Sequence, residues 1–187
     1  MRYVEEFSLN PGTGAVASYI FRANGLYDPN YTGSGHQPYG FDQWMTYYNQ
    51  FTVLGSKCTA RFMNYLNTSG NAVMCGIQLK DSAVVDNTNP TEIIEQGRSK
   101  WQLIQPQGGS KDQCRITKGF STKKFFQAPN NLDDIYRGSD AADPTEQAYY
   151  HIIAGGFDPG SDPSLVLAHV VIDYVVKLNG PKPLVSS

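Results

Sequence analysis

A long alternating run near the C-terminal end constrains the fold more than any other feature of this sequence. From Val166 to Leu178 every second residue is apolar, and the residues between them are a mixture of apolar and polar side chains. A period of two places successive side chains on opposite faces of a strand, whereas a helix needs a period of 3.6. The run therefore predicts a long β-strand with one apolar face, which belongs in the middle of a sheet.

The same period recurs along most of the chain. In the segment that begins at Asn49, Cys58, Ala60 and Phe62 share one face of a predicted strand. Further strands are predicted in VEEFSL, AVASYIFRA, NAVMCGIQLK, AYYHIIAG and CRITKGFSTKKFF, the last as a strand pair or one kinked strand. The first two are separated by NPGTG, whose Pro and Gly predict a hairpin turn.

The connections between these strands indicate the fold class. A loop-rich stretch is expected at 81–112 and a second at 128–147, and short helical turns are expected in FDQWMTYY and in PTEIIEQG, where Pro90 suits a helix start. About eight strands with alternately long and short connections predict an all-β, eight-stranded jelly-roll β-sandwich rather than an up-and-down barrel. A length of 187 residues fits a single domain over 1–187.

Charge and composition exclude several function classes. Charged residues make up 17% of the chain and the net charge is −2, so any nucleic-acid role must rest on a local basic patch. No apolar run reaches membrane-spanning length, and the first residues carry no signal-peptide core. Cys58, Cys75 and Cys114 form no CxxC pair, which predicts buried, reduced thiols and synthesis inside a cell.

No residue pattern in the chain predicts catalysis, a metal or a cofactor. GTGAVA matches a dinucleotide-binding fingerprint, but a strand-like segment follows it where the fingerprint needs a helix. His36 is the histidine expected to be exposed, yet no nucleophile motif accompanies it. The glycosylation sequons at Asn30 and Asn67 are interpreted as chance matches, because no secretory signal precedes them.

The densest run of positive charge lies between residues 111 and 124. Cations interleaved with phenylalanines there suit single-stranded nucleic acid, through phosphate pairing and base stacking. The candidate nucleic-acid-binding residues are Lys111, Arg115, Lys118, Lys123 and Lys124. A solvated strand face is the alternative, and strand alternation places Arg115 and Lys118 on opposite faces.

The segment from Asn24 to Phe51 is unusually rich in aromatics, glycines and prolines for a connection between strands. An active-site lid, a sugar-binding loop and a subunit contact could all have this composition. The lid is disfavoured because no catalytic group elsewhere converges with His36. The glycines and prolines are interpreted as fixing a long loop, and the aromatics as its buried anchors.

The residues of this segment also carry a resemblance. GLYDPNYTGSGHQPYGFDQW, running into YYNQFTVLGSKCTARF, resembles the capsid proteins of circovirus-like viruses with a circular single-stranded DNA genome. CRITKGFSTKKFF and VVIDYVVKLNGPKPL are similar, more loosely, to later strands of those capsids. The resemblance spans nearly the whole chain, although only the GHQP-containing segment is specific to the family.

The resemblance implies a structural protein that self-assembles into a T=1 shell of sixty copies around that DNA, in virions assembled inside the host cell, in the nucleus. It implies subunit contacts through Tyr27, Pro29, Tyr31, His36, Pro38, Tyr39, Phe41 and Trp44. The family's Arg-rich N-terminal arm is missing from this sequence, so empty or nearly empty shells are expected. The alternatives are a satellite-like or plant RNA virus coat, and a jelly-roll carbohydrate-binding module that uses Tyr27, Tyr31, His36 and Trp44.

Overall fold

A computed structural model describes residues 1–64, 71–85, 89–163 and 165–183. Strands dominate the described chain, and the helices are short. The strands are β1 (Arg2–Leu9), β2 (Val16–Arg22), β3 (Tyr48–Met63), β4 (Val73–Lys80), β5 (Ser99–Ile104), β6 (Gln113–Ser121), β7 (Arg137–Gly138), β8 (Tyr149–Gly156) and β9 (Val166–Pro181). The helices are α1 (Phe41–Tyr47), α2 (Pro90–Glu95) and α3 (Thr122–Phe125), and a 3₁₀ turn covers Asp134–Tyr136.

Two antiparallel sheets form a jelly-roll sandwich. The first sheet has the strand order β1-β9-β3-β6, with the two-residue β7 also paired to β3. The second has the order β2-β8-β4-β5. Eight full strands in two four-stranded layers are the jelly-roll architecture, so the predicted all-β fold class is confirmed.

The long alternating run forms β9 and lies in the middle of its sheet, as its pattern predicts. Ile172 is opposite Tyr3 of β1 on one side and opposite Cys58 of β3 on the other. All three side chains are fully buried and belong to the core between the two sheets. The apolar face of β9 therefore forms part of one side of that core.

The first two strands do not form the predicted hairpin. β1 pairs with β9, whereas β2 pairs with β8 in the other sheet. The turn between them holds Gly12 and Gly14 at φ values of 70° and 65°, in the left-handed region that glycine adopts without a steric penalty. The chain crosses from one sheet to the other at this turn.

Three further differences concern the second half of the chain. β5 lies inside the stretch predicted as a loop, because it is an exposed edge strand with little apolar alternation. The segment expected as a strand pair or kinked strand is β6 followed directly by α3. The described residues therefore contain three short α-helices and a 3₁₀ turn, more than the one or two helical turns expected.

Helix α2 explains why β4 is buried on both faces. Its Ile93 packs with Met74 of β4 and Ile153 of β8 on the outer side of the second sheet. Asn89 caps the helix by accepting a 2.9 Å hydrogen bond from the Thr91 N–H, and Pro90 follows at the first helical position, as predicted. The inner face of β4 contributes Cys75 and Ile77 to the main core.

Candidate assembly surface and basic groove

The loop and helix between β2 and β3, residues 24–47, are fixed to the body of the sandwich by buried polar groups. Asn24 donates from its side-chain amide to the Glu146 carbonyl at 2.8 Å and accepts from the Ala148 N–H at 3.0 Å. Asn24 is almost fully buried. These bonds tie the start of the 24–47 segment to the connection before β8.

A second buried cluster holds the middle of the 24–47 segment against β1. The Asn30 amide donates to both oxygens of Glu5, at 2.7 and 2.9 Å, and to the Tyr19 hydroxyl oxygen at 2.9 Å. Its side-chain oxygen accepts from the Gly33 N–H at 2.8 Å. Asn30 is fully buried, so its amide is inaccessible to glycosylation in the folded chain. The other sequon residue, Asn67, lies outside the described residues.

Asp143 fastens the 24–47 segment to the connection between β7 and β8. Its two carboxylate oxygens accept the backbone N–H groups of Tyr27 at 3.0 Å and Asp28 at 3.2 Å, and one of them lies 3.4 Å from Nε of Arg22. Arg22 also pairs with Asp28 at 2.9 Å. Burial raises the pKa of Asp143 to about 6, an effect only partly offset by Arg22 and the two N–H donors.

The raised pKa of Asp143 gives this fastening a predictable pH dependence. A carboxyl whose pKa is higher in the folded chain than in the unfolded chain contributes stability that is full below about pH 4 and is lost as the pH rises through 6. The difference in unfolding free energy between wild type and Asp143→Asn should therefore shrink by up to about 3 kcal/mol from pH 4 to pH 7. Denaturant unfolding at both pH values measures it, and a constant difference would contradict the prediction.

The predicted contact residues divide into two groups. Pro29, Pro38 and Phe41 are buried, and the Phe41 ring packs edge-on to that of Phe51. Tyr27, Tyr31, His36, Tyr39 and Trp44 are exposed. The aromatics of the Asn24–Phe51 segment are therefore mostly exposed, and the expectation that they serve as buried anchors holds for Phe41 and Phe51.

Tyr39, Trp44 and Tyr47 are the most exposed large apolar side chains of the 24–47 segment. Tyr39 is 93% exposed, Trp44 51% and Tyr47 56%, and Val4 of β1 adds a further apolar side chain. His36 lies beside Val4 and Tyr39. Its ring centroid is 4.7 Å from that of Tyr3 and 6.3 Å from that of Tyr39. We call Val4, His36, Tyr39, Trp44 and Tyr47 the aromatic patch. Exposed aromatics on a rigid support suit a protein interface.

The predicted basic residues are brought together only in part. Lys118 of β6 and Lys124 of α3 line one cavity of about 420 Å³, together with Arg98. Arg115 lines an adjoining cavity of about 490 Å³ with Lys100 and Trp101. Arg115 and Lys118 lie on opposite faces of β6, as their alternation requires. Lys111 and Lys123 are exposed and are not among the lining residues of either cavity.

Together these cations line an opening between β5 and β6, the edge strands of the two sheets. We call the opening the basic groove, and its residues are Arg98, Lys100, Trp101, Arg115, Lys118 and Lys124. Arg98, Lys100 and Trp101 were missed from the sequence, because β5 was interpreted as loop. The signal that could have found them is SKWQLI, a cation and an aromatic in a six-residue strand.

Other kinds of site find little support. Among the described residues, no group of three or more His, Cys, Asp or Glu side chains is arranged to hold a metal ion. No helix in the described part of the chain is long and apolar enough to cross a membrane. Cys58 and Cys75 are buried and Cys114 is half-buried, and all three are free thiols.

Comparison with known proteins finds similarity in fold only. No protein-family model matches the sequence, and neither does any curated protein. A solved structure of nora virus matches the whole chain with a TM-score of 0.51 and 10% identity, and the match covers 59% of that longer chain. A structure of broad bean stain virus, 93% covered, also matches the whole chain, with a TM-score of 0.48 and 8% identity. The nora virus match shows that the two chains share a fold.

Proposed function

We propose that this protein is a viral capsid protein whose copies assemble into a closed shell through the aromatic patch. The proposal rests chiefly on Tyr39, which is 93% exposed on a loop that buried hydrogen bonds hold in place. A large exposed aromatic on a fixed support is unfavourable in an isolated subunit and favourable once a neighbouring copy covers it. The jelly-roll fold and the whole-chain fold match to nora virus support the same function.

A more specific form of this proposal follows from the resemblance of the 24–47 segment to circovirus-like capsids. In it, the protein forms a T=1 shell of sixty copies, assembled in the host nucleus around circular single-stranded DNA. The exposed residues Tyr27, Tyr31, His36, Tyr39 and Trp44 contact neighbouring copies, whereas Pro29, Pro38 and Phe41 hold the loop in shape. Because the chain carries a net charge of −2, shells of this chain are expected to be nearly empty.

Sedimentation velocity and negative-stain microscopy of the purified chain test the proposal. Sixty copies of a 20.7 kDa chain sediment as a particle of about 1.2 MDa and appear as uniform round shells. A carbohydrate-binding module stays a monomer or small oligomer and binds a glycan array. A chain that remains small at high concentration and across a range of salt and pH would refute shell assembly.

Nuclease-protected nucleic acid distinguishes the viral alternatives. Sequencing it identifies circular single-stranded DNA or RNA, and RNA would favour the coat of an RNA virus. The absorbance ratio of the particles at 260 and 280 nm measures how full they are. Particles with the ratio of a filled virion would contradict the expectation of nearly empty shells.

A further inference from the structure

The basic groove lies where the jelly roll leaves two strands without a hydrogen-bonded neighbour. β5 ends the second sheet and β6 ends the first, and the two do not pair with each other. Lys100 of β5 and Lys118 of β6 occupy the inward-facing registers of these strands, since their cross-strand neighbours Ile77 and Cys58 belong to the core. β5 and β6 have Cα atoms within 8 Å of each other, so the groove is a surface opening along the two edges and does not admit a further strand.

The cations of the basic groove are not neutralised by the chain's own acids. Neither of its two cavities has an Asp or Glu among its lining residues. Within the described residues, the cations of the groove form no ion pair, whereas Arg2, Arg22, Lys57, Arg137 and Lys182 all have acidic partners. Burial and repulsion from Lys100 and Arg98 lower the pKa of Lys118. An anionic ligand would relieve this repulsion.

Aromatic rings accompany the cations. Trp101 is 46% exposed and lines the same cavity as Lys100 and Arg115, from the face of β5 opposite to that of Lys100. The Arg98 guanidinium lies 4.8 Å from the centroid of the Phe125 ring. An exposed indole beside a row of cations offers a base-stacking surface next to phosphate partners, the combination used to bind single strands.

We propose that the basic groove binds a segment of single-stranded nucleic acid. Arg98, Lys100, Lys118 and Lys124 pair with successive phosphates, and one base stacks on Trp101. A duplex offers no free base to Trp101, because its bases are stacked on each other. The proposed capsid function supports the identity of the ligand, whereas the groove itself is a property of each subunit.

The test uses unassembled subunits, so that it does not depend on shell formation. The Tyr39→Ala/Trp44→Ala variant removes two side chains of the aromatic patch. Of the two tryptophans in the chain, only Trp101 then remains. Titration with a fluorescently silent oligo(dT) should quench Trp101 emission. Arg98→Gln/Lys100→Gln/Lys118→Gln should weaken binding at least tenfold. It should also reduce the slope of log affinity against log salt by about 2, at roughly 0.7 per lost phosphate contact.

A matched control removes one Arg and two Lys from another surface. Arg2→Gln/Lys57→Gln/Lys177→Gln lies on the outer face of the first sheet and should change affinity less than twofold. Trp101→Leu should weaken binding at least fivefold without changing the salt slope.

Three outcomes would overturn the proposal. Equal losses in the two triple variants would indicate diffuse electrostatic attraction. A sulfated glycan such as heparin binding as tightly as oligo(dT), with no Trp101 quenching, would indicate a glycan surface. If Arg98→Gln/Lys100→Gln/Lys118→Gln binds oligo(dT) as tightly as the parent, the groove does not bind nucleic acid. Its lysines would then serve to protect the exposed strand edges from aggregation. Shell formation by the wild-type chain is measured separately, so failure of the capsid proposal and failure of this one are distinguishable.

Discussion

Replacing both Tyr39 and Trp44 with alanine is expected to leave the subunit folded and to prevent shell formation at concentrations where the wild type assembles. Both side chains are at least half exposed, so their loss should change the unfolding free energy by only about 0.5 kcal/mol. Aromatics at the centre of an interface commonly contribute 2 kcal/mol or more each to binding. Removing two should raise the concentration needed for assembly by well over tenfold.

The matched control for this variant is Phe157→Ala. Phe157 is 67% exposed, lies in the turn after β8 and is not part of the aromatic patch. Light scattering and microscopy measure assembly, and thermal melting confirms folding. If Tyr39→Ala/Trp44→Ala assembled as readily as the wild type, or if Phe157→Ala had an equal assembly defect, the aromatic patch would not be the contact.

Asn30→Ala should be among the most destabilising substitutions of a polar residue in the chain. It leaves Glu5, the Tyr19 hydroxyl and the Gly33 N–H without their buried partner. The four hydrogen bonds of Asn30 contribute about 0.5–1.5 kcal/mol each, so a loss of about 3 kcal/mol is expected, with partial recovery through water at the half-buried Glu5 and Tyr19. For a domain of this size that lowers Tm by roughly 6–12 °C.

Two further variants separate this hydrogen-bond effect from general damage to the loop. Ser34→Ala alters an exposed residue of the same loop and should change Tm by less than about 2 °C. Asn30→Asp keeps the shape but sets a second carboxylate against Glu5, so it should be worse than alanine at pH 7 and improve on acidification. If Asn30→Asp is as stable as wild type at pH 7, the donated hydrogen bonds are not what holds the loop.

The strands with a strong alternating pattern were predictable, and their arrangement was predictable only in part. β3, β4, β8 and β9 each bury a continuous apolar face, so the period of two is strong in the sequence. β5 buries little apart from Ile104, and its sequence therefore has the composition of a loop. The pairing of β1 with β9 joins residues that are far apart in the chain, and no local pattern encodes such a contact.

The candidate surfaces show the same limit. The 24–47 segment was identifiable from its turn residues, but which aromatics face outward depends on contacts with Glu5 and Asp143, which are distant in sequence. Of the residues in the basic run, Arg115 and Lys118 lie on β6. Arg98 and Lys100 join them only because the sandwich brings β5 beside β6, a consequence of topology rather than of composition.

The central position of β9 also sets the order in which a newly made subunit matures. β9 follows all the other described strands in the chain, yet it joins β1 to β3 and completes the first sheet. Asp143 and Ala148, which fasten the 24–47 segment, are also made late. Contacts of such long sequence separation form slowly. A nascent chain therefore lacks a finished contact surface until β9 has been made, which delays association of the subunits until then.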